Sequence, residues 1–529
     1  VSTVSETGIM VQSDELRGRH RIYTDVEEIT ENNVIEVLQE AILIHERNRE
    51  EIAFLLAYEK GDQPLKREKK VRKEIDIKDI DNVANQVTEF KLGYDWGNPI
   101  TYVQRGTKDL TGSDPERDDD GISMLNEMND AEGAPAKDQE LARYIEIAGI
   151  GFQMVDIKQE YEGDSAFDLL TLNPLFTFCI YRNTARQQKI AGVTYRTLKN
   201  GERYFTVYTK HRRFEIRNAQ KIINGQNQPD DKWGFLPRSG ECNPLAAVPI
   251  VEFIRAYDRM GCFERQIPDM DALNIEVSDF VNGVAQHVQE VWWGNDFDLP
   301  VNKETGEAEA PVSGQWLMTK TTQSGKTPIA KPLTSDVGYD GIQSNIESKR
   351  NTILQKCYVP LQSDPGGGST GTAMSMSSGW SAAEASACKK ELIIRRSKME
   401  IVRLELAAIK KSPDIPQNSP LLQLKPSDVN PKFTRQKTFD LGTKTNSMVA
   451  MIKAGIHGRI AMQTVDLFPD VAQAWNDSKD LIEKFQESLF QKKEAKGDDR
   501  EQQDLTDQTG NSPFLDGMST EKTNIKAAE

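Results

Sequence analysis

The stretch IPDMDALNIEVSDFVNGVAQHVQEVWW, residues 267–293, carries the most regular pattern in the chain. Met270, Leu273, Val277, Phe280, Val284, Val288 and Val291 step by three or four. That spacing draws one apolar seam along a helix of about 25 residues and roughly 37 Å. A rod of this length has to pack lengthwise on something. An apolar stripe so long does not stay exposed on a soluble monomer, so the seam is expected to be where copies of the chain meet.

Working outward, the chain turns after Gly294 to Pro, Gly, Thr and Lys, and 298–336 reads as a compact polar insertion with short strands. A second helix follows over 339–358. Ile342, Ile346, Ile353 and Cys357 form its stripe, with Asn345, Lys349, Thr352 and Lys356 beside it. Pro360 stops it, a Gly/Ser segment covers 365–379, and a third long helix is predicted over 381–411. Leu392, Met399, Val402, Leu406 and Ile409 should be its inner face. Upstream, 146–216 is rich in Tyr, Phe, Thr, Val and Ile, and Asn200-Gly201 separates two short runs as a hairpin turn does. Residues 31–58 show helical spacing through Val34, Val37, Leu38, Ile42, Ile52, Leu55 and Leu56. The basic run 66–73 reads as a solvated face, and 106–137 as a surface excursion with little core of its own. Short helices are expected between 443 and 491, and composition predicts disorder from 492 onward.

Length and charge exclude several classes. At 529 residues the chain should hold more than one domain. Its 66 basic against 82 acidic residues disfavour a broad phosphate-neutralising face. A hydrophobic fraction of 37% and a mean hydropathy of -0.59 indicate much polar surface. Cys179, Cys242, Cys262, Cys357 and Cys388 form no C-x-x-C pair, so neither a zinc knuckle nor a disulfide framework is suggested. No signal peptide and no spanning segment is read, and no membrane role is expected.

Candidate chemistry is thin. Ser324-Gly325-Lys326-Thr327 is like the end of a phosphate-binding loop, but Lys320 stands where that loop needs glycine and Pro328 hinders a helix start. Glu116, Asp118, Asp120, Gly121 and Glu127 approach a calcium-loop spacing, with Glu in place of the first Asp and Ser123 at an aliphatic position. A solvated acidic loop is the simpler reading. The five histidines are far apart, and Trp292-Trp293 is read as a plug closing the seam helix. Neither an enzyme nor a cofactor is expected.

The order of elements is more telling: long helix, insertion, second helix, Gly/Ser loop, third long helix. Val248-Pro249-Ile250-Val251-Glu252-Phe253 leading to Ile267-Pro268-Asp269-Met270-Asp271-Ala272-Leu273 resembles the entry into the first stem helix of the portal proteins of long-tailed phages. Ala57-Tyr58-Glu59-Lys60-Gly61 is similar to the end of that family's first wing helix. Val359-Pro360, then Gly366-Gly367-Gly368-Ser369-Thr370-Gly371-Thr372-Ala373, resembles its passage through the tunnel loop. Phe433, Arg435, Ala454-Gly455-Ile456-His457-Gly458-Arg459 and Leu467-Phe468-Pro469 resemble its C-terminal helical region.

The resemblance implies an α+β portal fold with a β-rich wing, long stem helices, a small α/β clip and a helical crown. The expected boundaries are an N-terminal segment 1–30, partly disordered; wing 31–266; first stem helix 267–296; clip 297–338; second stem helix 339–360; tunnel loop 361–372; long helix returning to the wing 373–430; crown 431–491; and tail 492–529. It implies a dodecameric ring at one capsid vertex, assembled in the host cytoplasm and carried in the virion, for DNA packaging, retention and ejection. Its partners would be further copies of the chain, the terminase motor, a head-tail adaptor, capsid and scaffold proteins, and double-stranded DNA bound without sequence specificity. Gln362, Ser363, Asp364, Gly366, Gly367, Gly368, Ser369 and Thr370 would contact DNA from the tunnel loop. Asn345, Lys349, Thr352 and Lys356 would line the stem, and the seam from Met270 to Val291 would join subunits. The rival readings are a packaging ATPase, which lacks its phosphate loop here, and another structural virion protein of capsid or scaffold type.

Overall fold

The computed structural model describes residues 18–65, 75–104, 120–158, 165–223, 226–288, 292–295, 329–332, 339–361, 379–413, 415–435, 441–465, 474–475, 478–482 and 484. Residues 1–440 form one compact unit and 441–529 belong to a second. The expected clip apart from residues 329–332, the tunnel-loop residues from Gln362 to Thr370, the basic run 66–73, the segment 324–327 and the tail 492–529 lie outside the described residues.

The first unit begins with β1 (Ile22–Thr24) and α1 (Val34–Glu59), then α2 (Val83–Trp96), β2 (Thr101–Gln104), α3 (Asp120–Ala131) and α4 (Ala134–Ala148). Nine strands follow: β3 (Ile150–Ile157), β4 (Phe167–Leu172), β5 (Thr177–Arg182), β6 (Lys189–Thr197), β7 (Arg203–Thr209), β8 (Arg212–Ile223), β9 (Gln226–Phe235), β10 (Glu241–Cys242) and β11 (Ile250–Ile254). Then come α5 (Ile267–Val288), β12 (Trp292–Asn295), β13 (Ile329–Pro332), α6 (Tyr339–Lys356), α7 (Trp380–Lys411), the short α8 (Pro420–Gln423) and β14 (Val429–Lys432). The second unit contributes α9 (Leu441–Lys453) and α10 (Gly458–Val465).

A seven-stranded sheet runs in the order β1-β5-β6-β7-β8-β10, with β9 also paired to β8. It is antiparallel except for β1, which adds to β5 in parallel. The β6–β7 hairpin turns at Asn200-Gly201 as the sequence predicts, with Gly201 at φ +84°. One face packs on α1, burying Val34, Val37, Leu38 and Ala41 against Phe178, Ile180, Val193, Phe205 and Val207. Part of the other face meets a second sheet, β11-β3-β4. The two sheets approach so closely that a Cβ on Gly192 would lie 2.7 Å from that of Ile250. The outer face of the second sheet carries Val155, Phe167, Leu169, Val251 and Phe253 onto α4 and α7, completing four layers.

Several expected boundaries move. Residues 18–30 are not a separate segment, because β1 belongs to the wing sheet. The surface excursion is helical from Asp120, and Ile122, Leu125 and Met128 join the main core. Asp120, Gly121 and Glu127 therefore lie on a helix instead of in an ion-binding loop, and Gly121 packs on the carbonyl oxygen of Pro420. The first stem helix ends at Val288 within the described residues, short of 296. Trp292 and Trp293 are not its plug: they belong to a strand paired with Ile329–Pro332, the place that aromatic β-formers take when an extended partner is at hand. On α7, Val402, Leu406 and Ile409 are buried and Met399 half-buried, but Leu392 is 68% exposed, because its position around the helix lies away from the buried stripe through Ile394, Ile401, Glu405 and Ala408. Residues 431–435 do not begin the crown, since β14 pairs with β2 inside the first unit.

Candidate functional site

The two predicted stem helices come together as an antiparallel pair. Phe280 of α5 meets Tyr339 of α6 edge to face at 6.1 Å. Further along, Glu276 accepts from Asn345 at 3.2 Å and pairs with Lys349, and Asp269 accepts from Lys356 at 2.6 Å. The residue number rises on α6 as it falls on α5. Three of the four residues expected to line the stem thus lie along the seam with the partner helix. Thr352 bonds back to the carbonyl of Ser348 at 2.8 Å. Both lysines have an acid within reach, so their charge is largely neutralised locally.

The root of the pair is a dense apolar cluster. Met270 and Leu273 are 1% and 0% exposed, packed with Leu55, Tyr58, Val83, Val87, Phe263, Ile353, Leu354 and Cys357. These two seam residues are consumed by the chain's own core, which corrects their assignment to a surface between copies. Periodicity identifies a buried face without saying what covers it. Val277 is half-buried against the same cluster, Phe280 is half-buried, and Val284 is 41% exposed. Val288 lies within α5, and Val291 is outside the described residues. What remains of the seam for a neighbour begins at Phe280.

Tyr58, in the quoted wing-helix motif, closes the root. Its hydroxyl donates to Asp271 at 2.8 Å and its ring stacks on Phe263 at 6.0 Å. Burial and the adjacent carboxylate push its hydroxyl well above the usual phenol range. At the far end of α6, Tyr358 adopts φ +59° and Lys91 of α2 donates to its carbonyl at 3.2 Å. Burial lowers the ammonium pKa of Lys91, with Asp95 and Glu146 opposing. The turn from which the Gly/Ser segment departs is therefore strained and pinned by a buried cation.

A feature not anticipated from the sequence lies on the adjacent face of α5. Asn274, Ser278 and Asn282, one turn apart and all at most 2% exposed, hold the extended segment 77–81 as a strand edge would. The amides of Ile77, Asp79 and Asp81 donate to Asn282, Ser278 and Asn274 at 2.9, 3.1 and 3.0 Å. Asn282 and Ser278 donate in return to the carbonyls of Ile77 and Asp79 at 2.7 and 2.8 Å. Arg350 of α6 joins Asp81 at 2.9 Å and Gln86 at 2.8 Å, so strap, wing helix and both stem helices are bonded together. The wing itself is locked to the root by buried ions. Arg19 pairs with Glu51 and Glu264, and Lys390 of α7 joins Asp95 and Glu146. Burial would raise the Glu146 carboxyl, but Lys390 and Arg255 hold it down at about 2.

The chain matches the family described as Phage portal protein, SPP1 Gp6-like, over residues 38–491. It belongs to that family. The match spans wing, stem pair, α7 and the start of the second unit, which are the elements that the order of motifs singled out. Among solved structures, one described as "Neck of empty GTA particle computed with C6 symmetry" is 10% identical and covers 77% of this chain and 95% of its own, at a TM-score of 0.34. No curated protein matches. The family is one of structural virion proteins, and the fold is the α+β portal arrangement. Among the described residues no group of three or more His, Cys, Asp or Glu side chains is placed to hold a metal, and no helix is long and apolar enough to cross a membrane. Burial pushes the Cys262 and Cys357 thiols up to about 11 and about 12, which leaves them inert near neutral pH.

Proposed function

We propose that this portal-family chain closes into a dodecameric ring at one capsid vertex and conducts double-stranded DNA during packaging, retention and ejection. The ring would be assembled in the host cytoplasm with capsid and scaffold proteins, dock the terminase motor through the clip, and later hold the head-tail adaptor. The observation that carries this reading is the antiparallel α5–α6 pair inside a family match of 454 residues' span. Asn345, Lys349, Thr352 and Lys356 would face the DNA path. Lysines already engaged by Glu276 and Asp269 suit a conduit, because each free phosphate contact would add salt-sensitive affinity and resist movement. Gln362, Ser363, Asp364, Gly366, Gly367, Gly368, Ser369 and Thr370 would touch DNA from the tunnel loop. Phe280, Val284 and the apolar positions beyond them would contact the next subunit.

Electron micrographs of purified protein test this directly. Closed rings with a central hole, whose subunits count to a dodecamer, are expected. Replacing Phe280 and Val284 together with Asp should leave smaller species while each protomer keeps its fold, because Met270 and Leu273 still fill the root. A wild-type protein that light scattering found monomeric at all concentrations would sink the proposal.

A further inference from the structure

Positive charge in this acidic chain gathers in two runs, the basic run 66–73, outside the described residues, and a longer one in the wing hairpins. Residues 186–218 hold nine Lys or Arg against two Glu, within a sequence of 66 basic and 82 acidic residues. The stem cations Lys349, Arg350 and Lys356 each have an acid partner. In the wing hairpins, Lys189, Arg203 and Arg213 are likewise paired, with Glu400, Glu46 and Glu215. Arg186, Arg196, Lys199, Lys210, Arg212 and Arg217 are exposed and have no acid partner among the described residues. Arg196, Tyr204 and Arg217 stand in one cross-strand row over β6, β7 and β8. The Arg196 guanidinium sits 5.5 Å above the Tyr204 ring, and Lys199 follows in the turn next to that row. The row belongs to the part of the sheet face that the second sheet leaves open, beside a shallow cavity of about 320 Å³ lined by Thr194, Arg196, Tyr204, Thr206, Arg213 and Glu215.

We infer that this open face of the wing is a second DNA-contacting surface, outside the channel, which takes the phosphate backbone of a duplex lying across the β6–β8 hairpins. Neighbouring strands lie about 4.8 Å apart, so Arg196 and Arg217 are separated by roughly 10 Å. A duplex presents one charge per about 1.7 Å of its axis and meets such a pair at any sequence. Tyr204 between them supports the Arg196 fork, which binds phosphate in a planar, bidentate manner. Nothing in the row is shaped to read base edges, so the contact is sequence-independent. The inference rests on the proposed ring, because it is the ring that would carry many copies of the face into a DNA-filled head.

Assembled full-length protein and relaxed covalently closed plasmid provide the test, since a closed circle cannot thread a closed ring. Wild-type rings should bind the plasmid, losing affinity steeply between about 50 and about 200 mM salt. The triple variant R196A/K199A/R217A should bind at least tenfold more weakly and flatten the log–log salt slope by about 2.7, at about 0.9 per lost phosphate contact. The variant K349A/K356A should bind the plasmid as wild type does. Should the triple variant fail to assemble, the three single variants should each lower the slope by about 0.9. Rings that ignore closed plasmid at low salt, or a triple variant that binds it undiminished, would overturn the inference. Absence of rings in the micrographs would instead overturn the channel reading.

Discussion

Stripping the polar ladder from α5 should release the strap 77–81 without unfolding the stem. Along α5 the rungs Asn274, Ser278 and Asn282 repeat every four residues, about 6.0 Å, while alternate residues of an extended chain repeat every 6.6 Å or so. The mismatch over three rungs is therefore only about 1.2 Å, small enough for side-chain torsions to absorb. Asn282→Leu deletes the two bonds to Ile77, and Ser278→Ala deletes the two to Asp79. At the low end of the net range for a neutral bond, about 0.5–0.75 kcal/mol each at so exposed a strap, the four lost bonds should cost the double variant about 2–3 kcal/mol of local stability. That corresponds to amide exchange faster by roughly 30- to 150-fold, at tenfold per 1.4 kcal/mol. Hydrogen exchange read residue by residue should show wild-type protection at Ile77, Asp79 and Asp81. Lys78 and Ile80, whose amides have no described acceptor, should exchange quickly. In the double variant the protection of Ile77 and Asp79 should vanish and that of Asp81, on the remaining Asn274 rung, should weaken. If Ile77 and Asp79 stayed within threefold of wild type, the ladder would not be what holds the strap.

Two buried groups should oppose one another in acid. Burial depresses His45 to about 4, so its contribution is present above pH 6.5 and lost as pH falls toward 4; burial lifts Glu405 to about 7, so its contribution is present below pH 4.5 and lost as pH rises through 7. Glu405→Gln should therefore gain on wild type between pH 5 and 7.5, by up to about 3 kcal/mol in denaturant titrations, and parallel pH curves would contradict this. Lys390→Met leaves Asp95 and Glu146 buried without their shared cation, which should cost about 3–5 kcal/mol in the same titrations; a cost below about 1 kcal/mol would mean that the cluster is hydrated. Deleting Gly366 to Gly368 should spare ring assembly and impair packaging or retention of DNA, and normal filling of heads by that variant would remove the tunnel-loop assignment.

What the sequence revealed, and what it hid, divides by the range of the interaction. The α5 seam, the α6 stripe and the Asn200-Gly201 hairpin are set by neighbours within a few residues, so their spacing announces them. The partner of a face is set by chain far away, and spacing is silent about it. Met270 and Leu273 carry the same signal as Val284, yet the first two face Tyr58 and Ile353, while the third lies beyond the reach of that root. The same limit explains β1, three residues made a strand only by β5 more than 150 positions later, and Trp292, drawn from helix to sheet by Ile329–Pro332. It also explains α3, whose Gly and Asp content reads as loop until the core supplies a place for Leu125. The polar ladder was different, because its signal was present. Asn274, Ser278 and Asn282 recur every four residues directly beside the seam, and a helix that repeats small hydrogen-bonding side chains next to a buried stripe has a backbone to hold. A period-four polar stripe flanking an apolar one, followed elsewhere by a short extended segment without strand partners, is a pattern that can be sought from sequence. Here it would have located the join between wing and stem.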